Sequence, residues 1–406
     1  MSSTLVHPLR YLLLLLFGVV VLFARNMDPL IQPAMYTEDG AWLGMAMSKG
    51  WMYTFQNAKS GYFVFGNLLF LWLSSFSSLL FCNDKLVCLP QSIAIWSYIF
   101  FASTAAISVY ATRHILPVKI RLLIFLLIIL IPLGDSANEI IGRISNIGYF
   151  AVFWSVLLVY TKATHLDSRT VTIGTGVGLI IAAATNPVCY ILIPMLALFS
   201  IWINGAKDAK DLIRKLAGQY GNIFIGLIFL FILQLYTFSG HTGTSITGKL
   251  NVDNLIEVGI TRSLLYPFVF SIYQHLNDQY SIFIFSALVG LTLYLSWKIR
   301  HNTEVIHLLS LSLISLLIFL AATLYMRQSL TQQLGGYQTT FPDRYFMGLN
   351  VIVVFSLVVL TASNITLGKT ASALGLSFLI SIILVYTASI NWIFELNKPR
   401  LNIAIE

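Results

Sequence analysis

The chain has 406 residues, of which 57% are hydrophobic, 14% aromatic and only 10% charged, with a net charge of +8. A soluble enzyme needs a charged surface, so this composition excludes one. Apolar runs of about 14 to 20 residues recur from end to end, and about 20 such residues span a bilayer as a helix. We therefore predict an all-α polytopic membrane protein with a single membrane domain over residues 1–406.

About eleven apolar runs are long enough to be transmembrane helices. Basic residues concentrate in the short loops on one side, which the positive-inside rule places in the cytosol. The first run follows a short basic segment, which predicts a signal anchor with a cytoplasmic N-terminus and, after an odd number of spans, a periplasmic C-terminus. The runs begin near Tyr11, Gln91, Ile120, Ile147, Val171, Pro187, Gly221, Tyr280, Val305, Phe346 and Ala371.

The run from Gly61 to Phe81 is long enough for a further span, but it contains Asn67 and several serines. If it crossed, the basic loop after the next span would face outside, against the positive-inside rule. We therefore expect an interfacial helix that lies along the membrane surface or packs against the bundle. Residues 26–90 then form the first periplasmic loop, and residues 239–280 a second large periplasmic segment. Cys82 and Cys88 are close enough to bridge if this loop faces an oxidising compartment.

The segment from Val171 to Trp202 is interrupted by Thr185, Asn186 and Pro187. Proline breaks or kinks a helix, so the segment is either one kinked helix or a tight helical hairpin. Its length is about twice a span, which favours the hairpin.

The first external loop holds the adjacent carboxylates Glu38 and Asp39. A carboxylate held near the lipid boundary can act as a general base towards a sugar hydroxyl. The competing interpretation, with about equal weight, is a helix start that Thr37 caps and that the acidic pair stabilises through the helix dipole.

Two further external loops carry ionisable groups. Asp135, Glu139 and Arg143 have i,i+4 spacing, so a helix would present them on one face, and an exposed helix with an ion pair is the favoured interpretation. In the later loop, Asp343 and Arg344 precede a span. The arginine either binds a lipid phosphate through its planar fork or snorkels at a helix end.

Residues 253–280 mix aromatic and ionisable side chains, which suit either sugar stacking or a membrane interface, and the membrane-interface interpretation is the favoured one. His241 and His275 stand apart from any metal-ligand spacing, so the sequence predicts no metal site with a recognisable ligand motif. It contains no Walker loop, dinucleotide fingerprint or catalytic-serine elbow. The basic excess is assigned to topology, and no nucleic-acid partner is predicted.

This layout resembles the GT-C class of integral-membrane glycosyltransferases. In that class a first span leads to an acidic loop motif, then to interfacial helices, and then to a second span that returns to a basic cytosolic turn. Glu38 and Asp39, the segment Gly61 to Phe81 and the segment Gln91 to Arg113 follow in that order. The acidic pair ahead of Gly40 and Trp42, with the stretch Glu139 to Tyr149, is similar to the O-antigen glucosyltransferases of phages and genomic islands that change bacterial serotype.

The resemblance implies transfer of glucose from undecaprenyl-phosphate glucose to lipid-linked O-antigen at the periplasmic face of the bacterial inner membrane, among membrane lipids. It implies an inverting reaction with Asp39 or Glu38 as base, because inversion needs no covalent intermediate. No soluble C-terminal domain and no separated Asp-x-Asp pair is present, which leaves metal dependence open: a divalent metal is compatible with the resemblance, but no ligand motif supports one. The remaining candidate residues are Arg344, Arg143, Lys59 and Arg327 for the donor phosphate, with Glu139, Asp135 and Asp343 as second carboxylates.

Three other functions remain open, one of which is a structural or receptor role in which the external loops bind a partner and no reaction is performed. A transporter that flips a lipid-linked sugar would also have many spans, although transporters commonly carry inverted repeats and ionisable residues inside their spans. An O-antigen polymerase would share the topology but would depend on later loops, so Glu38 and Asp39 would be dispensable in it.

Overall fold

The computed structural model describes residues 3–31, 33, 35, 37–58, 64–134, 137–165, 169–239, 254–326, 336–337, 343–365 and 369–393. Within these ranges all regular secondary structure is helical, as predicted. The first helices are α1 (Ser3–Arg25), α2 (Asp28–Ile31), α3 (Thr37–Lys49), α4 (Trp51–Asn57), α5 (Phe65–Cys82), α6 (Leu89–Ala111), α7 (Val118–Ile129), α8 (Ala137–Ile140) and α9 (Gly148–Thr164).

The later helices are α10 (Arg169–Thr185), α11 (Cys189–Ile203), α12 (Ala209–Ser239), α13 (Tyr266–Val269), α14 (Asp278–Lys298), α15 (Thr303–Met326), α16 (Met347–Asn364), α17 (Lys369–Ala388) and α18 (Ile390–Ile393). A π-helix, Glu257–Leu265, runs into α13, and 3-10 helices occupy Phe270–His275 and Asp343–Tyr345.

Seven helices in the described part of the chain are long and apolar enough to cross a membrane: α5, α6, α12, α14, α15, α16 and α17. Helices α7, α9, α10 and α11 also coincide with predicted runs, but they have 12, 17, 17 and 15 residues and fall short of about 20. The protein is therefore a multi-pass membrane protein, while helix length alone supports a smaller count than the predicted eleven.

The centre of the bundle is formed by α9 and α16, whose side chains are almost all buried. Helix α9 packs against α6, α10, α11, α15 and α16. Gly348, at the start of α16, lies so close to the carbonyl oxygen of Tyr149 that a Cβ atom there would overlap it. On the opposite side the Trp154 ring stacks on Phe100, with centroids 4.5 Å apart, and its Nε1–H donates to Thr104 Oγ1 at 2.8 Å. The small side chain of Gly348 and the hydrogen-bonded indole of Trp154 thus allow the helices to pack closely.

The predicted break in the segment 171–202 is confirmed. Helix α10 ends at Thr185 and α11 begins at Cys189, and both pack against α9. Asn186 holds the connection, because its Nδ2 donates to the carbonyl of Gly148 at 3.0 Å and its Oδ1 accepts from the N–H of Val188 at 3.0 Å. The asparagine satisfies backbone groups that the break leaves open, while Pro187 has no N–H to satisfy.

The segment predicted as interfacial forms α5 and makes an antiparallel hairpin with the start of α6. A disulfide joins Cys82 to Cys88, and the indole of Trp96 donates to Ser77 Oγ at 3.0 Å. At its other end, Asn67 of α5 donates to the carbonyls of Ile144 and Ser145, each at 3.0 Å. Helix α5 therefore bridges the disulfide-closed turn and the connection between α7 and α9, residues 130–147, which we call the second loop.

The disulfide generates a test of sidedness, because such bonds persist only in an oxidising compartment. After denaturation without reductant, a maleimide reagent should add once, to the free thiol of Cys189. After reduction it should add at all three cysteines, and the Cys82→Ser variant should show two adducts without any reduction. Mass spectrometry of the protein taken from its native membrane gives the count; three adducts before reduction would place this turn in the cytosol.

Candidate functional site

The first loop, residues 26–90, and the second loop are tied together where α1 ends. Arg25 is buried, and its guanidinium donates to the carbonyls of Ile129 and Ile131, the latter at 2.9 Å. The Tyr98 hydroxyl donates to the carbonyl of Asn26 at 2.9 Å. An arginine at a helix end thus satisfies carbonyls that α7 leaves open at its C-terminus. The contacts place residues 25–26 and 129–131 at one end of the bundle.

Asp39 lies in the first turn of α3 and is fully buried. Its Oδ1 accepts from the N–H of Ser145 at 2.9 Å, and its Oδ2 accepts from the N–H of Ile144 at 3.2 Å. Nothing in the sequence indicates these two donors, because they are backbone groups of a distant loop. The carboxylate therefore connects the first loop to the second. The competing helix-capping interpretation does not require this contact; the side chain of Thr37, the predicted cap, lies outside the described residues.

Burial raises the pKa of Asp39 from 3.8 to about 6, since an apolar environment disfavours its charged form. The N–H of Ile144, the positive charge of Arg143 and the N–H of Ser145 act in the opposite direction, and the neighbouring Glu38 raises the pKa further. Glu38 itself is only partly buried. A carboxylate that ionises near pH 6 is suited to accept a proton at neutral pH.

The predicted helical face over Asp135, Glu139 and Arg143 is wrong. Helix α8 covers only Ala137–Ile140, and Gly142 has a φ of +87°, which ends the helix. A Cβ atom on Gly142 would meet the ring of Pro29 at 2.7 Å, so the turn is shaped by contact with the first loop. Glycine is the residue that adopts such a φ without strain.

Glu139 instead forms an ion pair with Arg344 from the connection between α15 and α16, which we call the third loop. Glu139 Oε2 lies 3.1 Å from Arg344 Nη1, and both side chains are mostly buried, with 15% and 18% of their surface exposed. Arg344 Nη2 also donates to the Tyr345 hydroxyl at 3.2 Å, and the Tyr345 ring meets Tyr149 edge-on at 5.6 Å. The exposed-helix interpretation of Glu139 is therefore also wrong, because the partner is a distant residue and the pair is sheltered from solvent.

Contacts of the second loop link most of the predicted site residues that the structure describes, because its N–H groups hold Asp39 and its Glu139 pairs with Arg344. Asp39 and Glu38 come from the first loop, Arg143 and Glu139 from the second, and Arg344 from the third. Lys59, Asp135 and Arg327, and the side chain of Asp343, lie outside the described residues.

Sequence reasoning missed a second buried cluster, around Glu257. Arg262 Nη2 lies 3.0 Å from Glu257 Oε1, which also accepts from the Tyr273 hydroxyl at 2.7 Å. Glu257 Oε2 accepts from the N–H of Gly336 at 2.9 Å, and the Tyr337 hydroxyl donates to Asp278 at 2.7 Å. The membrane-interface interpretation of this segment is wrong for Glu257 and Arg262, which are buried inside the protein. Through Gly336, the cluster holds the third loop eight residues before Arg344.

No group of three or more His, Cys, Asp or Glu side chains that could hold a metal ion occurs among the described residues. The chain matches no protein-family model and no curated protein. Its function is therefore inferred from the chemistry of the site.

The turn at Gly142 gives a graded stability test. Gly142→Ala adds both a disfavoured φ and a clash with Pro29, so we expect a loss of about 2 to 4 kcal/mol in the free energy of unfolding. Gly50→Ala adds only the disfavoured φ of +86°, with nothing within 4 Å, and should cost about 1 kcal/mol. Gly44→Ala, in an open helical position, should stabilise by up to about 1 kcal/mol.

Denaturant unfolding of the purified protein ranks the three variants. Equal stability of Gly142→Ala and Gly50→Ala would contradict the close packing of the second loop on the first.

Proposed function

We propose that the protein is an inverting, polyprenyl-phosphate-sugar-dependent glycosyltransferase. It moves a glucosyl group from undecaprenyl-phosphate glucose to a hydroxyl of lipid-linked O-antigen at the periplasmic face of the bacterial inner membrane. The observation that carries the proposal is the buried carboxylate of Asp39, whose pKa is raised to about 6 beside a loop that also carries Arg143 and the ion-paired Glu139. A base and two cations at one end of a membrane bundle suit attack by a hydroxyl on a sugar phosphate.

The proposed topology has about eleven spans, a cytoplasmic N-terminus and a periplasmic C-terminus. Contacts between connecting segments support it. Residues 25–26, 39, 129–131, 144–145 and 344 meet at the end assigned to the periplasm. His114 and His165, from two loops assigned to the cytosol, lie 2.8 Å apart between their Nε2 atoms.

In this topology α5 does not cross. Asn67, near the start of α5, contacts the second loop, and Ser97 of α6 donates to the carbonyl of Arg143 in the same loop. The end of α5 pairs with the part of α6 that precedes Ser97. From the level of the second loop, α5 and the start of α6 therefore extend side by side in one direction, while the rest of α6 extends in the other. The exposed apolar side chains of the hairpin, such as Phe81 and Val87, suit contact with the membrane surface.

In the proposed reaction the acceptor hydroxyl attacks the anomeric carbon while Asp39 takes its proton. The bond from that carbon to the phosphate oxygen breaks, its electron pair stays on the oxygen, and undecaprenyl phosphate leaves. A phosphate leaves readily, so one carboxylate suffices for a single displacement with inversion. Glu38, which is partly buried next to Asp39, is the alternative base.

The departing phosphate develops negative charge, which a positioned guanidinium stabilises. Arg344 is the first candidate, because it lies near a membrane-embedded helix and its side chain is held by Glu139 and Tyr345. Glu139 orients the guanidinium of Arg344. A bound donor phosphate would either share this guanidinium with Glu139 or displace the Glu139 carboxylate from it. Arg143 is the second candidate, since its charge already acts on Asp39.

Transport of a lipid-linked sugar is the second candidate function. Lys162 in α9 and His307 in α15 are both buried, and ionisable groups inside a membrane bundle are typical of transport pathways. The His307 ring lies 3.0 Å from Ser200 Oγ, so it already has a polar partner. A polymerase would place its essential residues in later loops and would tolerate the loss of Asp39.

The base is tested by transfer of labelled glucose from undecaprenyl-phosphate glucose in membranes. Asp39→Asn should lower the rate about 100-fold or more, while Glu38→Gln should retain most of it. Because the base must be ionised and Asp39 has a pKa of about 6, kcat/KM should fall as the pH drops below about 6 and level off above it.

Donor binding by Asp39→Asn, measured in the same membranes, controls for misfolding. Unchanged transfer by Asp39→Asn would remove it as the base, and loss of transfer only in Glu38→Gln would assign the role to Glu38.

The phosphate site is tested at Arg344. Arg344→Gln should lower kcat/KM about 100-fold or more, and Arg344→Lys should recover only part of it, because lysine keeps the charge but lacks the planar fork. Arg300→Gln is the matched control, since Arg300 is exposed at the opposite end of the bundle. Equal activity of Arg344→Gln and Arg300→Gln would exclude Arg344 from donor binding.

A further inference from the structure

A groove lies beside the candidate site, between α3, the start of α4 and the outer face of α5. Its volume is about 390 Å³, within the range of small-molecule pockets. Trp51, Trp72 and Phe76 supply aromatic walls, and Ser75 and Lys85 supply polar groups. Mainly apolar walls with a few polar groups are typical of binding sites for small organic ligands.

The groove offers a stacked pair of aromatic rings. The Trp72 and Phe76 rings, one helical turn apart on α5, are parallel to within 11° with centroids 6.0 Å apart. Both side chains are about half exposed, at 43% and 47%. The C–H bonds on one face of a pyranose ring pack against such aromatic faces, while its hydroxyls seek polar partners at the edge. Lys85 provides three N–H donors there.

The walls of the groove are held in place before any ligand binds. The Trp42 indole donates to the carbonyl of Ala58 at 2.7 Å, which fastens α3 to the end of α4. The turn that carries Lys85 is closed by the Cys82–Cys88 disulfide and by Asp84, whose carboxylate accepts from the N–H of Leu86 at 2.6 Å. A preformed site avoids part of the ordering cost of binding.

Helix α3 connects the groove to the proposed base. Ala46 lines the groove and Asp39 lies in the first turn of the same helix, a separation of about 10 Å along the helix axis. A glycan bound in the groove therefore lies on the helix that carries Asp39, whose carboxylate is itself fully buried. We propose that this groove binds the acceptor glycan, with one pyranose ring stacked on Trp72 and Phe76 and its hydroxyls on Lys85. The inference rests on the proposed function and names the acceptor side of that site.

Charge argues for a glycan over a lipid headgroup as the occupant. Among the described residues that line the groove, Lys85 is the single cationic side chain, whereas binding to anionic lipid grows with the number of basic groups. The other large side chains of the groove, Trp51, Trp72 and Phe76, are aromatic, and an aromatic face suits packing against the face of a sugar ring.

The experiment is equilibrium binding of delipidated O-polysaccharide to the full chain in phosphatidylcholine nanodiscs. Trp72→Ala and Phe76→Ala should each weaken binding about tenfold. Phe81→Ala is the matched control, because Phe81 is on the same helix, is 84% exposed and does not line the groove, so its binding should stay at the wild-type level. Lys85→Gln, at an exposed position, should weaken binding several-fold.

Wild-type binding by Trp72→Ala and Lys85→Gln would overturn the inference. So would variants that bind the polysaccharide normally but, in the same phosphatidylcholine nanodiscs, bind added short-chain phosphatidylglycerol more weakly than the wild type, which would make the groove a lipid site. Asp39→Asn separates the two proposals, because it should bind the polysaccharide and fail to transfer sugar. If the wild-type protein transfers no sugar but the groove variants still bind the polysaccharide more weakly than the wild type, the groove is supported and the proposed reaction is overturned.

Discussion

The carboxylate of Asp39, held by the backbone N–H groups of Ile144 and Ser145, is the interaction on which the arrangement of the site depends. A buried carboxylate without hydrogen-bond donors would be very costly, so the second loop must stay against α3. That contact places Arg143 near the carboxylate and sets the position of Glu139, which pairs with Arg344. Segments far apart in the sequence thus form one polar cluster.

Rigid packing beneath the loops keeps this cluster in place. Helices α9 and α16 are almost completely buried, and the second and third loops lead directly into them. The Glu257–Arg262 pair constrains the third loop from the other side by holding Gly336. A buried ion pair contributes little net stability, but the loss of one partner leaves a charge without compensation, so the pair fixes one arrangement. Sites held by such supports keep their geometry.

Local patterns predicted the elements of the fold but not the partners within the site. The apolar runs became helices and the Asn186–Pro187 break appeared, because both depend on neighbouring residues. The pairing of Glu139 with Arg344 depends on two loops meeting in space, and Gly142 ended a helix that i,i+4 spacing had favoured. Glu257 and Arg262 are five residues apart and pair on a π-helix, a spacing that a search for 3.6-residue periodicity overlooks.

The carboxylate pair was found from sequence because acidic residues next to an apolar helix are conspicuous, while the raised pKa of Asp39 arises from burial that no local pattern reveals. The most direct test of the central claim is the anomeric configuration of the product. Nuclear magnetic resonance of O-antigen after transfer from a donor of known configuration should show a glucosyl linkage of opposite configuration, as one displacement with one base requires. Retention of configuration, which needs a covalent intermediate or a second displacement, would contradict this account, as would the absence of any new glucosyl linkage.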